Sequence, residues 1–208
     1  MNLTSEIVKR IRRYLDAQEE IRDRVLEISR RTVRNSAQAM AALHRGDEAT
    51  LRKAMREARR EISLLSKMVK KFPHLEDYGP VATAYQEFAE VKLVQALSKG
   101  KELPGPEELG IPYKPYLAAL ADSVGEFRRR VLDLIRTDKV AEAERTLGLM
   151  EEIFSMLMEF DYPSSILPGM RHKCDVARRV LEETRSDVTT ALRQQRLEHA
   201  LEKKEGKL

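Results

Sequence analysis

The sequence predicts an all-α fold, a single-domain antiparallel bundle of about six to seven helices spanning residues 1–208, on three observations. Charged residues make up 35% of the chain, aromatics only 5%, Trp is absent, and there are just 9 Gly and 8 Pro. A composition heavy in Ala, Leu, Glu, Lys and Arg is that of long helices. Apolar residues recur at spacings of three and four along most of the chain, the period of a helix with one buried face. No stretch shows the period-two alternation of a strand, and the connections between periodic segments are short.

Taken in order, residues 3–44 read as one long helix. Ile7, Ile11 and Tyr14 begin an apolar stripe that resumes at Ile21, Val25 and Ile28 and shifts phase toward Val33, Ala37 and Met40. Gly46 is the expected left-handed stop, and Asp47 can cap the helix that follows. That second helix carries Leu51, Met55, Ala58, Ile62, Leu65, Val69 and Phe72, a spacing that packs a helix along its whole length, and Pro73 ends it. Pro80 suits the first turn of a third helix ending at Gly100. Residues 101–112 hold three prolines and two glycines and form a connector with room for one turn at 106–109. A fourth long helix is predicted from about Pro115 to Arg136, a fifth from Lys139 to about Phe160, and a last one from near Met170. The last helix aligns Cys174, Ala177, Leu181, Thr184, Val188 and Ala191, with a frayed end beyond residue 202.

Charge and cysteine usage bound the function. The net charge is +4, but residues 1–71 hold 18 Lys and Arg against 10 Asp and Glu, or +8, and the remainder 20 against 24, or −4. A basic first third suits a polyanionic partner, although on charge alone solvated helix faces laced with Glu and Arg are the favoured reading. The single Cys excludes an intrachain disulfide and a multi-cysteine zinc site. No segment reaches the roughly 18 uninterrupted apolar residues of a membrane span. The N-terminus has no apolar block of signal-peptide length, so a soluble, cytoplasmic protein with no membrane partner is expected.

Two acidic pairs stand out. Glu87 and Glu90, three apart, share a helix face with Val94 and Leu97, an odd face to leave in water. Asp122 and Glu126, four apart, share a face of the next long helix, opposite Leu117, Leu120, Val124, Phe127 and Val131. Gly125 sits beside them mid-helix, where Gly costs about 1 kcal/mol relative to Ala. With Ala118 and Ala121 it would let another group approach the backbone. Each pair alone reads most simply as surface. Together they form a four-carboxylate set which, if the two helices are neighbours, cannot stay ionised at close range without cations. All-oxygen ligation suits Mg²⁺, with Mn²⁺ as an alternative, and such ions activate water and offset charge on a phosphoryl oxygen. His44, His74, His172 and His199 are scattered, and none follows a Glu by three as di-iron bundles require. Cys174 reads as an inert core residue, and Met150, Met156 and Met158 as core or subunit interface. There is no Walker loop or dinucleotide fingerprint.

The residues also carry a resemblance. Residues 21–45 (IRDRVLEISRRTVRNSAQAMAALHR), 85–97 (YQEFAEVKLVQAL) and 104–130, with PEELGIP, YLAALAD and GEFRR, resemble the translin family, and its translin-associated factor X type most closely. The likeness implies a seven-helix protein that assembles into a hollow homo-oligomer, commonly an octamer, with RNA or single-stranded nucleic acid bound inside. The factor X type is a Mg²⁺-dependent endoribonuclease whose Glu-x-x-Glu and Asp-x-x-x-Glu acids match Glu87, Glu90, Asp122 and Glu126, with a basic residue at Arg129. The family's spacing is intact in both places, whereas residues 164–200 are only loosely similar.

These readings converge on a Mg²⁺-dependent endoribonuclease acting on single-stranded or unpaired RNA. Glu87, Glu90, Asp122 and Glu126 hold the metal in this expectation, Arg129 offsets phosphoryl charge, and Arg30, Arg34, Lys67, Lys70 and Lys71 hold the RNA backbone. A translin-like binder without catalysis is the second reading. The third is an all-α nucleotide pyrophosphohydrolase, which shares a Glu-x-x-Glu helix but has Glu-x-x-Asp where this chain has Asp-x-x-x-Glu.

Overall fold

The computed structural model describes residues 3–205. Among them are seven α-helices, a short 3-10 turn and no strand. The helices are α1 (Leu3–Arg45), α2 (Glu48–Lys71), α3 (Gly79–Ser98), α4 (Pro106–Leu109), α5 (Tyr113–Arg136), α6 (Val140–Met158) and α7 (Met170–Glu205); the 3-10 turn is Pro73–Leu75. All the long helices stand where the periodicity predicts them, within a few residues at their ends.

The helix ends follow from local chemistry. At the end of α1, Gly46 adopts φ +70°. Its amide donates to the Leu43 carbonyl and that of Asp47 to the Ala42 carbonyl, closing two otherwise orphaned acceptors. The Asp47 carboxylate then accepts from the Thr50 amide at 3.0 Å to cap α2. Bonds from Thr50 hold the Asp47 carboxyl below its ordinary value. The charged cap is therefore present at neutral pH and lost as pH falls through that depressed value. The same closing geometry recurs after α5 at Asp138, a non-glycine residue at φ 58°.

The chain forms two compact units, Met1–Val91 with Pro106–Pro112, and Lys92–Gly105 with Tyr113–Leu208. In the first, α1 packs along α2. All the apolar stripe of α2 from Leu51 to Val69 is buried, joined by Val25 and Ile28 of α1 and by Tyr85 and Phe88 of α3. On α1, Ser29, Thr32, Ser36, Ala39 and Ala42 are also buried, a row of small side chains. Glu61 of α2 bonds to this helix, accepting from Arg31 Nε at 2.7 Å and more weakly from Thr32 and Asn35. The connector is clamped to α2. Arg59 donates to the Leu109 carbonyl at 2.6 Å and Ser66 to the Gly110 carbonyl at 3.1 Å, while the Tyr85 hydroxyl bonds Ser66.

In the second unit, α5 packs against α6 and α7, and α6 against α7. The face of α5 predicted as core, from Leu117 to Val131, is buried with Met150, Ile153 and Leu157 of α6 and Ala177, Leu181, Thr184 and Val188 of α7. Arg128 crosses from α5 to α7, donating to Thr184 Oγ1 at 3.0 Å and pairing with Asp187 at 3.1 Å.

Three expectations are corrected. Ile11 and Tyr14, expected to open the buried stripe of α1, are 53% and 65% exposed, with Ile7, Val8 and Leu15 alongside. These apolar side chains of α1 are left uncovered by the described residues. Cys174 is half-buried rather than core, at the wall of a cavity with Met158, Tyr162, Met170 and Arg178. Desolvation raises its pKa, which keeps the thiol protonated and weakly reactive. The end of α7 stays helical through Glu205; the rest of the expected frayed tail lies outside the described residues.

The hydroxyls of Ser29 and Ser36 are buried with no hydrogen-bond partner among the described residues. Burying an unsatisfied hydroxyl costs on the order of 1–3 kcal/mol, and Ala is the better helix former. Ser36→Ala is therefore expected to stabilise the protein by about 1 kcal/mol, raising the thermal midpoint by roughly 2–4 °C. A lowered midpoint in a calorimetric scan would show that the hydroxyl has a partner.

Candidate active site

Helix α3 is apolar on most of its circumference, with Val81, Ala84, Tyr85, Phe88, Ala89, Val91, Leu93 and Val94 all buried. Such a helix has no solvated face to spare, so Glu87 and Glu90 are drawn to half-buried positions. Neither is isolated from neighbouring groups. They lie in the part of α3 that belongs to the first unit.

Asp122 and Glu126 belong to the second unit and are also half-buried, one turn apart on the side of α5 away from Phe127. Both oxygens of Asp122 accept from the ammonium of Lys173, at 2.7 and 2.8 Å. Lys173 comes from the first turn of α7 and was not anticipated from the sequence. A Cβ built on Gly125, between the two acids, meets nothing within 4 Å. The space beside Asp122 and Glu126 is thus open, and no packing within the chain demands glycine there.

Of the basic residues singled out, Arg129 is exposed on α5. Its neighbour Arg128 is the one committed to structure, through Thr184 and Asp187. Arg30 and Arg34, one turn apart on α1, are exposed, as are Lys67, Lys70 and Lys71 at the end of α2. Arg31, between the α1 pair in sequence, is instead tied to Glu61 and Glu27. Lys67 and Lys70 line a cleft of about 490 Å³ in the first unit, with Arg59, Ile62, Ser66 and Leu109 on its walls.

Each pair offers only oxygen donors, the donor type that hard divalent cations take. The structure presents these acids as two pairs. Among the described residues, no three His, Cys, Asp or Glu side chains are grouped as a metal site.

No protein-family model matches the chain. It is 30% identical over 195 residues to uncharacterized protein MJ0175 of Methanocaldococcus jannaschii, covering 91% of this chain and 85% of that protein. The chain belongs to the same family as that protein. Among solved structures it is similar to AfC3PO, at 28% identity and TM-score 0.80 over 88% of this chain. AfC3PO has been solved by itself and in complex with duplex RNA. A structure of apo-NeC3PO, at 18% identity and TM-score 0.80, shares the fold. That fold is the translin fold, in agreement with the all-α expectation.

What the sequence reading missed within this translin fold is Lys173. A signal was available: the first turn of α7 carries no acid but holds Arg171, His172 and Lys173 in succession. A helix N-terminus favours negative charge, so three basic residues there point to an acidic neighbour from another element.

The open face at Gly125 gives a direct test. Gly125→Ala is expected to stabilise the fold by about 1 kcal/mol, because the backbone is helical and the added methyl meets no obstacle. If the acidic face of α5 receives RNA, the same substitution weakens RNA binding or turnover. A melting curve and a binding isotherm on one preparation separate the two effects.

Proposed function

We propose that this chain is a divalent-metal-dependent endoribonuclease, closest to the catalytic translin-associated factor X type and acting on single-stranded or unpaired RNA as a homo-oligomer. One observation carries the reading: two half-buried carboxylate pairs, Glu87 with Glu90 and Asp122 with Glu126, in a chain similar over most of its length to a protein solved with RNA. Carboxylates at these four half-buried helical positions offer oxygen atoms to a hard cation.

In this reading the four acids hold Mg²⁺, or Mn²⁺ in its place. The bound ion would supply an activated water and offset negative charge on the scissile phosphate. The chain's own residues do the rest. Arg30, Arg34, Lys67, Lys70 and Lys71 hold backbone phosphates in register, and Arg129 adds positive charge where the phosphoryl oxygens gain it. The exposure of Arg129 suits this role, while Arg128 already ties α5 to α7. RNA held through phosphates should dissociate steeply with added salt.

Exposed apolar surface supports self-association. The stripe of α2 from Leu51 to Val69 is buried inside its own unit. Uncovered apolar side chains lie instead on the first turns of α1, at Met156, Met158, Phe160, Tyr162 and Ile166, and at Leu197 and Leu201 of α7. Patches of this kind mark interaction surfaces. Light scattering is expected to give a mass several times that of one chain, an octamer in the full form of the proposal, and a strict monomer would contradict it.

A non-catalytic RNA binder is the second reading, favoured by the engagement of Asp122 with Lys173. Labelled RNA, single-stranded and duplex, incubated with Mg²⁺ or with chelator, separates the two. The nuclease reading expects Mg²⁺-dependent internal cuts, favouring unpaired RNA, and a loss of at least a hundredfold in Glu90→Ala. Equal cleavage by the wild type and Glu90→Ala ends the assignment, and salt-sensitive binding without cleavage returns the binder.

A further inference from the structure

We propose that Lys173 is a built-in counter-cation that competes with a divalent ion for the carboxylate of Asp122. The inference rests on the reading above, in which Asp122 is a metal ligand. It adds a residue on a different helix that sets how tightly, and at what concentration, the metal is taken.

The geometry is specific. Lys173 Nζ stands 2.7 and 2.8 Å from the two oxygens of Asp122, so a single ammonium engages the whole carboxylate. The two side chains are 29% and 31% exposed, part-way out of water, where an ion pair is screened less than on an open surface. Lys173 also stands in register with the buried stripe of α7. Ala177, Leu181, Thr184 and Val188 lie four, eight, eleven and fifteen residues further on, and all are buried. Packing of that stripe holds the start of the lysine side chain in place against α5.

The local sequence argues against an accidental pair. A cation in the first turn of a helix is opposed by the helix dipole, and here Arg171, His172 and Lys173 occupy that turn together. Asp122 compensates Lys173 there. No similar contact to Lys173 is needed to hold α5 to α7, because Arg128 with Thr184 and Asp187 does so further along both helices. The pair is therefore placed to be exchanged. Lysine suits exchange: its point charge sits on a flexible four-carbon stem, which can withdraw toward solvent when a divalent ion takes the carboxylate. The ammonium then remains near the site, free to meet a phosphate oxygen.

The consequence is a metal affinity held down by an internal competitor. Releasing a charge-assisted contact of this kind is expected to tighten metal binding by on the order of tenfold. The test uses Mn²⁺ and the full chain, with free Mn²⁺ followed by electron paramagnetic resonance. Lys173→Met is expected to bind Mn²⁺ about tenfold more tightly than the wild type, and Lys173→Arg, which keeps a bidentate cation, to stay close to it. Equal affinity in the wild type and Lys173→Met, or weaker binding in Lys173→Met, overturns the competitor role while leaving the metal reading intact. No Mn²⁺ binding by either protein overturns the metal reading, and this inference with it. A second measurement needs no variant. The rate at which the Lys173 amine is acylated in the wild type, read by mass spectrometry, should rise several-fold when Mn²⁺ is added, and an unchanged rate defeats the proposal even if Lys173→Met fails to fold.

Discussion

A carboxylate drawn part-way out of water must be met by a cation, and the long-range polar contacts of this protein answer that demand. Between α1 and α2 the acid is Glu61 and the cation Arg31. Between α5 and α7 the pairs are Asp122 with Lys173 and Asp187 with Arg128, and between α6 and α7 Glu151 with Arg185. They range from mostly buried at Glu61 to half-exposed at Arg185 and Glu151; the more exposed contribute modestly to stability. Their larger effect is on register: an apolar stripe tolerates sliding by a turn, whereas a two-point contact between named side chains does not. The same demand applies on α3 and α5, whose half-buried acids all have neighbouring groups in the chain, Lys173 in the case of Asp122.

The basic surface has a different logic. Arg59 and Arg31 are used internally, as hydrogen-bond donors to the Leu109 carbonyl and to Glu61. Arg30, Arg34, Lys67, Lys70 and Lys71 stay at the surface. The excess of positive charge in the first 71 residues therefore does not disappear into internal pairs. Lys67 and Lys70 border a cleft that Arg59, Ser66, Ile62 and Leu109 also line, and positive charge at a cleft attracts polyanions.

Apolar surface is divided just as clearly. The stripe of α2 from Leu51 to Val69 is buried in its own unit, while the first turns of α1 carry Ile7, Val8, Ile11, Tyr14 and Leu15 in the open. A helix of 43 residues that packs only in its later part is longer than its own unit requires. Its first turns carry an exposed apolar row among charged residues, and exposed apolar surface of this kind marks interaction sites.

Much of the architecture was legible in the sequence, and for definite reasons. The three-four spacing from Leu51 to Val69 and from Leu117 to Val131 allows only one face to be buried, and Gly46, Asp47 and Pro73 end or start helices through their own backbone and side-chain chemistry. The acid pairs were legible too, because i,i+3 and i,i+4 positions share a face whatever surrounds the helix. What periodicity does not encode is the neighbour. It could not say that Ile11 and Tyr14 would lack one, that Cys174 would sit at a cavity wall, or that Lys173 would stand against Asp122, fifty-one residues away along the chain. One helix determines which of its residues lie on one side; only the packing of several decides what that side meets, because contacts between helices depend on distances the linear spacing does not contain.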